Sequence, residues 1–159
     1  MSWIGPFILL ITFLLMEFSA WAMHKYVMHG FMWEFHKDHH IEEPGFFEKN
    51  DVFFLIYAIP SWLCIMLGMI NESTLSVWIG FGIASYGVAY FLFHDVYIHR
   101  RLKWFKNIDL PYFMAIRKAH KIHHKYRKKE DGECFGMLIV PKKYYIEAKK
   151  AHQLKTHKR

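Results

Sequence analysis

The sequence predicts an all-α integral membrane protein with about three transmembrane helices and a histidine-rich helical cap on one side. Three observations lead there. Apolar residues make up 53% and aromatics 19% of the 159 residues. Three windows are apolar over the length a bilayer demands, and most of the charge lies beyond the last of them.

The windows are residues 3–23, apolar apart from Glu17, and residues 52–70 and 74–93, which carry no charge. Each is close to the ~20 residues that an α-helix needs to cross ~30 Å of hydrocarbon. Pro60 in the second window and Gly80, Gly82 and Gly87 in the third are tolerated in bilayer helices, where neighbours re-satisfy freed backbone groups. Residues 71–73 leave room only for a tight hairpin. Ala20-Trp21-Ala22 resembles a signal-peptide cleavage site, but M-S-W-I-G-P has no positive n-region, so the first window is expected to stay as a span. The whole of residues 1–159 then reads as one membrane domain.

Charge orients it. The N-terminus and the 71–73 hairpin hold no Lys or Arg, the loop 24–51 holds Lys25, Lys37 and Lys49, and residues 94–159 hold the other eighteen. The positive-inside rule places the loop and the tail in the cytoplasm and the N-terminus outside. Cys64 falls in a span and Cys134 in the tail, so neither suggests a disulfide.

Ten of the twelve histidines fall into one pattern used twice. His24 and His29 form H-x4-H, followed by His36, His39 and His40 as H-x2-H-H. After the hairpin, His94 and His99 repeat H-x4-H, and His120, His123 and His124 repeat H-x2-H-H. A three-span topology brings both sets to one membrane face. On a helix, positions i, i+3 and i+4 share a face with Cβ atoms ~5–6 Å apart, close enough for imidazoles to approach a metal. H-x4-H is less natural, because five residues turn an α-helix by about 140° past a full turn and climb ~7.5 Å. Such a pair needs a distorted turn or serves two metals. Ten imidazoles exceed one ion's needs, so two metals sharing the set is the simplest arithmetic. Imidazole alone suits Zn, Cu, Fe or Ni and does not choose among them.

Metal-bound histidines need partners for their other ring nitrogen. Asp38 and Asp95 are candidates for that supporting role, with Glu34 nearby. Glu17 is a further candidate, two turns before His24 on the same face, since an ionisable group inside a span is a functional hypothesis by default.

The stretches H-K-Y-V-M-H-G-F-M-W-E-F-H-K-D-H-H (24–40), F-H-D-V-Y-I-H-R-R, A-H-K-I-H-H and C-F-G-M-L resemble the bacterial β-carotene 3-hydroxylases. These belong to the wider fatty acid hydroxylase superfamily of histidine-rich membrane oxygenases. The resemblance runs from about residue 15 to 141, with one departure: Val96 stands where the family pattern often has Gly after the Asp of the third motif, which bears on local backbone shape. The resemblance implies two iron ions held by the ten motif histidines. It implies O2 as co-substrate, electrons from reduced ferredoxin and its reductase, and hydroxylation of β-ionone rings at C3, taking β-carotene through β-cryptoxanthin to zeaxanthin. It also places the protein in a bacterial inner membrane.

The tail from His94 carries eighteen Lys and Arg against six acids. Asp109-Leu110-Pro111 reads as a helix start with Asp109 as N-cap, and E-D-G at 130–132 as its stop. R-R-L-K-W-F before it is expected to hug the interface. The charge suits anionic membrane lipid headgroups and the steering of an acidic electron donor; at a membrane it argues against nucleic acid. Two alternatives remain at this level. One is a fatty-acid or sterol hydroxylase or desaturase of the same superfamily, and the other a membrane metal-transport or metal-storage protein.

Overall fold

The computed structural model describes residues 3–41, 45–102, 104–105, 108–126, 128 and 130–157. Six α-helices run through them: α1 (Ile4–Ala22), α2 (Trp33–His40), α3 (Val52–Ile70), α4 (Thr74–Tyr90), α5 (Pro111–His123) and α6 (Lys142–Thr156). A single 3-10 turn, Lys49–Asp51, leads into α3, and no strand occurs among the described residues.

The three apolar runs became helices because hydrocarbon offers their backbone no partner outside the helix. Their outer faces are apolar and exposed, with Phe7, Leu14, Phe18, Phe54, Trp62 and Val88 all pointing away from the protein. Such an exterior suits lipid rather than water. Small residues let α4 approach α1 on one side and α3 on the other, as in membrane bundles generally. A Cβ on Gly80 would lie 2.6 Å from Ile65 Cγ1 and 2.8 Å from the Ser61 carbonyl, and one on Gly82 would lie 2.9 Å from the Leu9 carbonyl. Ser61 Oγ also donates to the Gly80 carbonyl at 2.8 Å, tying α3 to α4.

Two spans run past their expected ends at residues 23 and 93. α1 continues as a π-helix, Met23–Phe31, with a kink at Gly30, and α4 continues as a second one, Phe91–Ile98. The helices long and apolar enough to cross a membrane are therefore Ile4–Phe31, Lys49–Ile70 and Thr74–Ile98. In a π-helix the amide of residue i+5 bonds to the carbonyl of residue i, and the His99 amide donates to the His94 carbonyl at 2.9 Å. This is the distorted turn that H-x4-H requires. Val96, fully buried, sits inside the second π segment without needing a glycine.

The tail helix expected between Asp109 and E-D-G needs correction at both ends. α5 starts with Leu110 as N-cap and no side-chain cap, while the Asp109 carboxylate pairs with Lys155 at 3.3 Å. Pro111 opens the helix, as expected. The helix stops at His123 rather than at E-D-G, because the chain must turn back to bring residues 133–135 against the histidines. Cys134 accommodates the reversal with a left-handed φ of 63°.

α6 was not foreseen within the basic tail. It forms because Tyr144 and Ala148, four residues apart, bury one stripe against Ala115 and Ala119 of α5. α5 in turn packs Ile116 against Tyr97, Ile98 and Met137. This cap closes the same end of the bundle where α1 and α4 emerge. Trp104 and Phe105, in the stretch expected at the interface, are exposed, while Lys103 and Lys106 lie outside the described residues. Cys64 and Cys134 are both free.

Candidate metal centre

The π segments decide the positions of four histidines. With i→i+5 winding, His24 and His29 bring their ring centroids to 5.1 Å, and His94 and His99 to 4.6 Å. The next two turns of helix, α2 and the end of α5, supply the other six.

Nine of the ten motif histidines gather into two groups whose ligand atoms lie within 4.8 Å of one another: His24, His29, His36, His40 and His123 in one, and His39, His99, His120 and His124 in the other. Each H-x2-H-H motif is divided. Its first and last members stay with the H-x4-H motif of their own half, while the middle one crosses over. The expectation of one undivided ligand face per motif is thus corrected, because i+3 and i+4 lie about 100° apart around an α-helix and here point into different groups. His94 belongs to neither group by this distance, yet it is buried and stacks on His39 at 4.6 Å between ring centroids. His152 stays on α6 and His157 just beyond it.

Within the groups, nitrogens approach closely. Nε2 to Nε2 distances are 3.1 Å for His24 and His36, 3.2 Å for His36 and His40, and 3.1 Å for His29 and His123. They are 2.9 Å for His99 and His120 and 2.8 Å for His120 and His124. Two nitrogens roughly 2.0–2.1 Å from one ion, at octahedral or tetrahedral angles, sit about 2.9–3.4 Å apart.

The other ring nitrogens say what these contacts are. His24 Nδ1 donates to the Phe135 carbonyl at 2.9 Å and His123 Nδ1 to the Glu133 carbonyl at 3.1 Å. His36 Nδ1 lies 2.7 Å from Asn50 Oδ1, and His39 Nδ1 lies 3.0 Å from Glu48 Oε2. Carbonyl and carboxylate oxygens accept, so Nδ1 carries the proton and a neutral ring presents Nε2 as a lone pair. In His24 and His36 both lone pairs then face each other at 3.1 Å, an arrangement that only a shared cation makes favourable. His39 Nε2 is buried with no hydrogen-bond partner. The donor set therefore fits two metal ions.

Burial keeps these rings neutral. It pushes His36 and His123 down to about 2 and His124 to about 3, and the neighbouring imidazoles reinforce it. His39, His99 and His120 are held well below the ordinary histidine value for the same reasons. Protons thus compete poorly for the nitrogens.

Directly against this centre, between the spans, lies a cavity of about 770 Å³. Met16, Phe53, Tyr57 and Ile83 form part of its apolar wall, and His24 and His94 lie at its histidine end.

The profile of the fatty acid hydroxylase family matches residues 9–141, a stretch holding both histidine sets. The chain belongs to the fatty acid hydroxylase family. The beta-carotene hydroxylase of Pantoea ananas is 38% identical over 142 residues, which are 89% of this chain and 81% of that protein. The beta-carotene hydroxylase of Pseudescherichia vulneris is 32% identical over 145 residues, 91% and 82% of the two chains. The chloroplastic beta-carotene 3-hydroxylase of Gentiana lutea is 34% identical over 130 residues, 80% of this chain and 40% of the longer plant protein. No solved structure matches the chain.

In this fatty acid hydroxylase, Asp95 of the suggested supports stands beside a motif histidine, while Asp38 and Glu17 bond elsewhere. Asp38 Oδ2 accepts the Lys49 amide, so it holds the turn before α3. Asp95 lies 3.5 Å from His94 Nδ1 and 3.4 Å from Arg101. Glu17 takes the amides of Met137, Leu138 and Ile139 and the Tyr86 hydroxyl. The direct partners that sequence reasoning missed are Glu48, Asn50 and the carbonyls of Glu133 and Phe135. No local spacing marks the first two. The carbonyls belong to or adjoin C-F-G-M-L, a stretch whose family likeness was the one available signal.

Proposed function

We propose that this protein hydroxylates β-ionone rings at C3 in two rounds, converting β-carotene through β-cryptoxanthin to zeaxanthin. O2 is the co-substrate, and its second oxygen atom leaves as water with two electrons from reduced ferredoxin. The observation that carries this reading is the apolar cavity whose histidine end is formed by His24, of the five-histidine group, and by His94, which stacks on His39 of the four-histidine group. The relatives named beta-carotene hydroxylase, similar over more than four-fifths of both chains, support the substrate.

His24, His29, His36, His40 and His123 would hold one iron ion, and His39, His99, His120 and His124, with His94 beside them, the second. Iron bound there supplies O2 activation, which side chains alone cannot perform. The chain's own part is positional. Nδ1 donation to Phe135, Glu133, Asn50 and Glu48 aims the Nε2 lone pairs inward. The cavity walls strip water from the ring end of a hydrocarbon that dissolves only in the bilayer, and present that end to the histidines. A metal transporter needs ligands along its spans, whereas these cluster at one end.

Residues 1–159 act as one domain in a bacterial inner membrane, N-terminus outside and histidines cytoplasmic. The eighteen Lys and Arg of residues 94–159 support that orientation, and they suit both anionic headgroups and an acidic electron donor. The test is pigment chromatography from a β-carotene-accumulating bacterium expressing the gene, beside a His39→Ala, His40→Ala variant. More polar pigments with the masses of one and two added oxygens, absent in the variant, are expected. Unchanged β-carotene despite membrane-inserted, iron-loaded protein would overturn the carotenoid assignment.

A further inference from the structure

Glu17 is buried within α1, two turns below His24, whose own ring nitrogens bond to Phe135 and face His36. The Glu17 carboxyl group has other neighbours. Oε1 accepts three consecutive amides, Met137 at 3.0 Å, Leu138 at 2.9 Å and Ile139 at 3.0 Å. Oε2 accepts the Tyr86 hydroxyl of α4 at 2.7 Å. Four hydrogen bonds converge on one side chain, and three come from a segment 120 or more residues away.

That segment is the one bearing the carbonyls that hold two ligands of a single group. The Phe135 carbonyl takes His24 Nδ1 at 2.9 Å, and the Glu133 carbonyl takes His123 Nδ1 at 3.1 Å. The Phe135 ring packs against His24, His29 and His123 at 5.6, 5.2 and 5.0 Å between centroids. Gly136 lets the backbone come this near, since a Cβ there would stand 2.9 Å from Glu17 Oε1. Among the described residues the ring hydrogen bonds to this segment come from His24 and His123, whereas His39 of the four-histidine group leans on Glu48.

We infer that Glu17 is a positioning residue that latches residues 133–139 to the first span, and through their carbonyls orients His24 and His123 for the five-histidine site alone. The inference rests on the proposed two-metal centre. A carboxylate suits the task because its oxygen accepts several amides at once, whereas the apolar residues around it in α1 accept none. Removing it leaves three buried amides to find new partners, which shifts the segment.

The test uses the full chain in detergent, stripped of metal and titrated anaerobically with ferrous iron, with iron per chain read by mass spectrometry. Wild type is expected to hold two. Glu17→Ala is expected to weaken the five-histidine site about 10–100-fold, the range for losing an outer partner of a histidine ligand, so that one iron survives gel filtration. Adding His124→Ala then leaves none, whereas adding His40→Ala still leaves one. Hydrogen exchange at amides 137–139 rises, and Glu17→Gln, whose carbonyl oxygen can take the same amides, keeps both irons. Should Glu17→Ala fail to fold, Gly136→Ala, which pushes the segment off the latch, is expected to lose the same single iron. Two irons retained in a folded Glu17→Ala or Gly136→Ala protein, or parallel loss from both sites, overturns the latch. A wild type that binds no iron overturns the metal centre and the latch together.

Discussion

His39 and His123 are exchanged between the two histidine groups: His39, from the first half of the chain, completes the group of His99, His120 and His124, while His123 completes that of His24, His29, His36 and His40. His123 Nε2 reaches His29 Nε2 at 3.1 Å across ninety-four residues. The exchange cross-links the exit of the first span to the end of α5, so each group needs both halves of the chain.

Single substitutions should therefore strike the site of the opposite half. His39→Ala is expected to empty the four-histidine site and His123→Ala the five-histidine site, each leaving about one iron where two bind. Iron content after gel filtration, read beside His40→Ala and His124→Ala, checks the assignment. His39→Ala matching His124→Ala rather than its neighbour His40→Ala is the decisive pattern.

The metal-free fold should weaken in mild acid. His36 and His123 are pushed to about 2 and His124 to about 3, mainly by burial, against 6.5 unfolded. Their folded values are lowered, so the unfolded chain binds more protons between those limits. The stability they contribute is complete above pH 6.5 and is lost as pH falls toward 3. Each group costs on the order of 1 kcal/mol per pH unit in that window. Thermal midpoints of the metal-free protein should be flat from pH 8 to 7 and drop from 6.5 to 5; a flat profile throughout would contradict the neutral cluster.

Arg101 links elements that meet at the histidine end. It lies 3.1 Å from Glu48, 2.8 Å from Asp51 and 3.4 Å from Asp95, and Glu48 in turn orients His39. Loss of one partner from a buried pair costs about 3–5 kcal/mol, and the partial exposure of these carboxylates reduces that to about 1–2 kcal/mol. Arg101→Leu is expected to lower stability by that amount in detergent unfolding. It should also loosen iron at the four-histidine site more than at the other.

The glycines of α4 separate packing from cavity shape. Gly80→Ala and Gly82→Ala force Cβ atoms against α3 and α1 and should each destabilise by about 1–3 kcal/mol. A Cβ on Gly87 meets nothing within 4 Å, and this residue lines the cavity. Gly87→Leu is expected to fold and keep its iron while cutting hydroxylated pigment at least several-fold, as measured by chromatography. Full pigment conversion in that variant would place the substrate elsewhere.

Much of this was legible locally. Uninterrupted apolar windows announced three spans, because a bilayer leaves the backbone no alternative to internal hydrogen bonds. The doubled histidine pattern announced a metal centre, and its H-x4-H spacing announced a distorted turn, met by the π segments. Helix ends were less legible. Asp109 and E-D-G carry ordinary start and stop chemistry, yet Leu110 is the N-cap while Asp109 pairs with Lys155, and α5 ends at His123, where the chain turns back to bring residues 133–135 against the histidines.

By itself, then, the sequence determined the helical membrane class and the ten histidines, since these depend on composition and on spacings of a few residues. Only the tertiary structure decided the five-and-four division, the exchange of His39 and His123, and the partners Glu48, Asn50, Glu133 and Phe135. It alone turned Glu17 from a possible ligand support into the anchor of residues 137–139. Those outcomes hang on contacts between residues up to 122 positions apart, which three-dimensional packing creates and no local periodicity encodes.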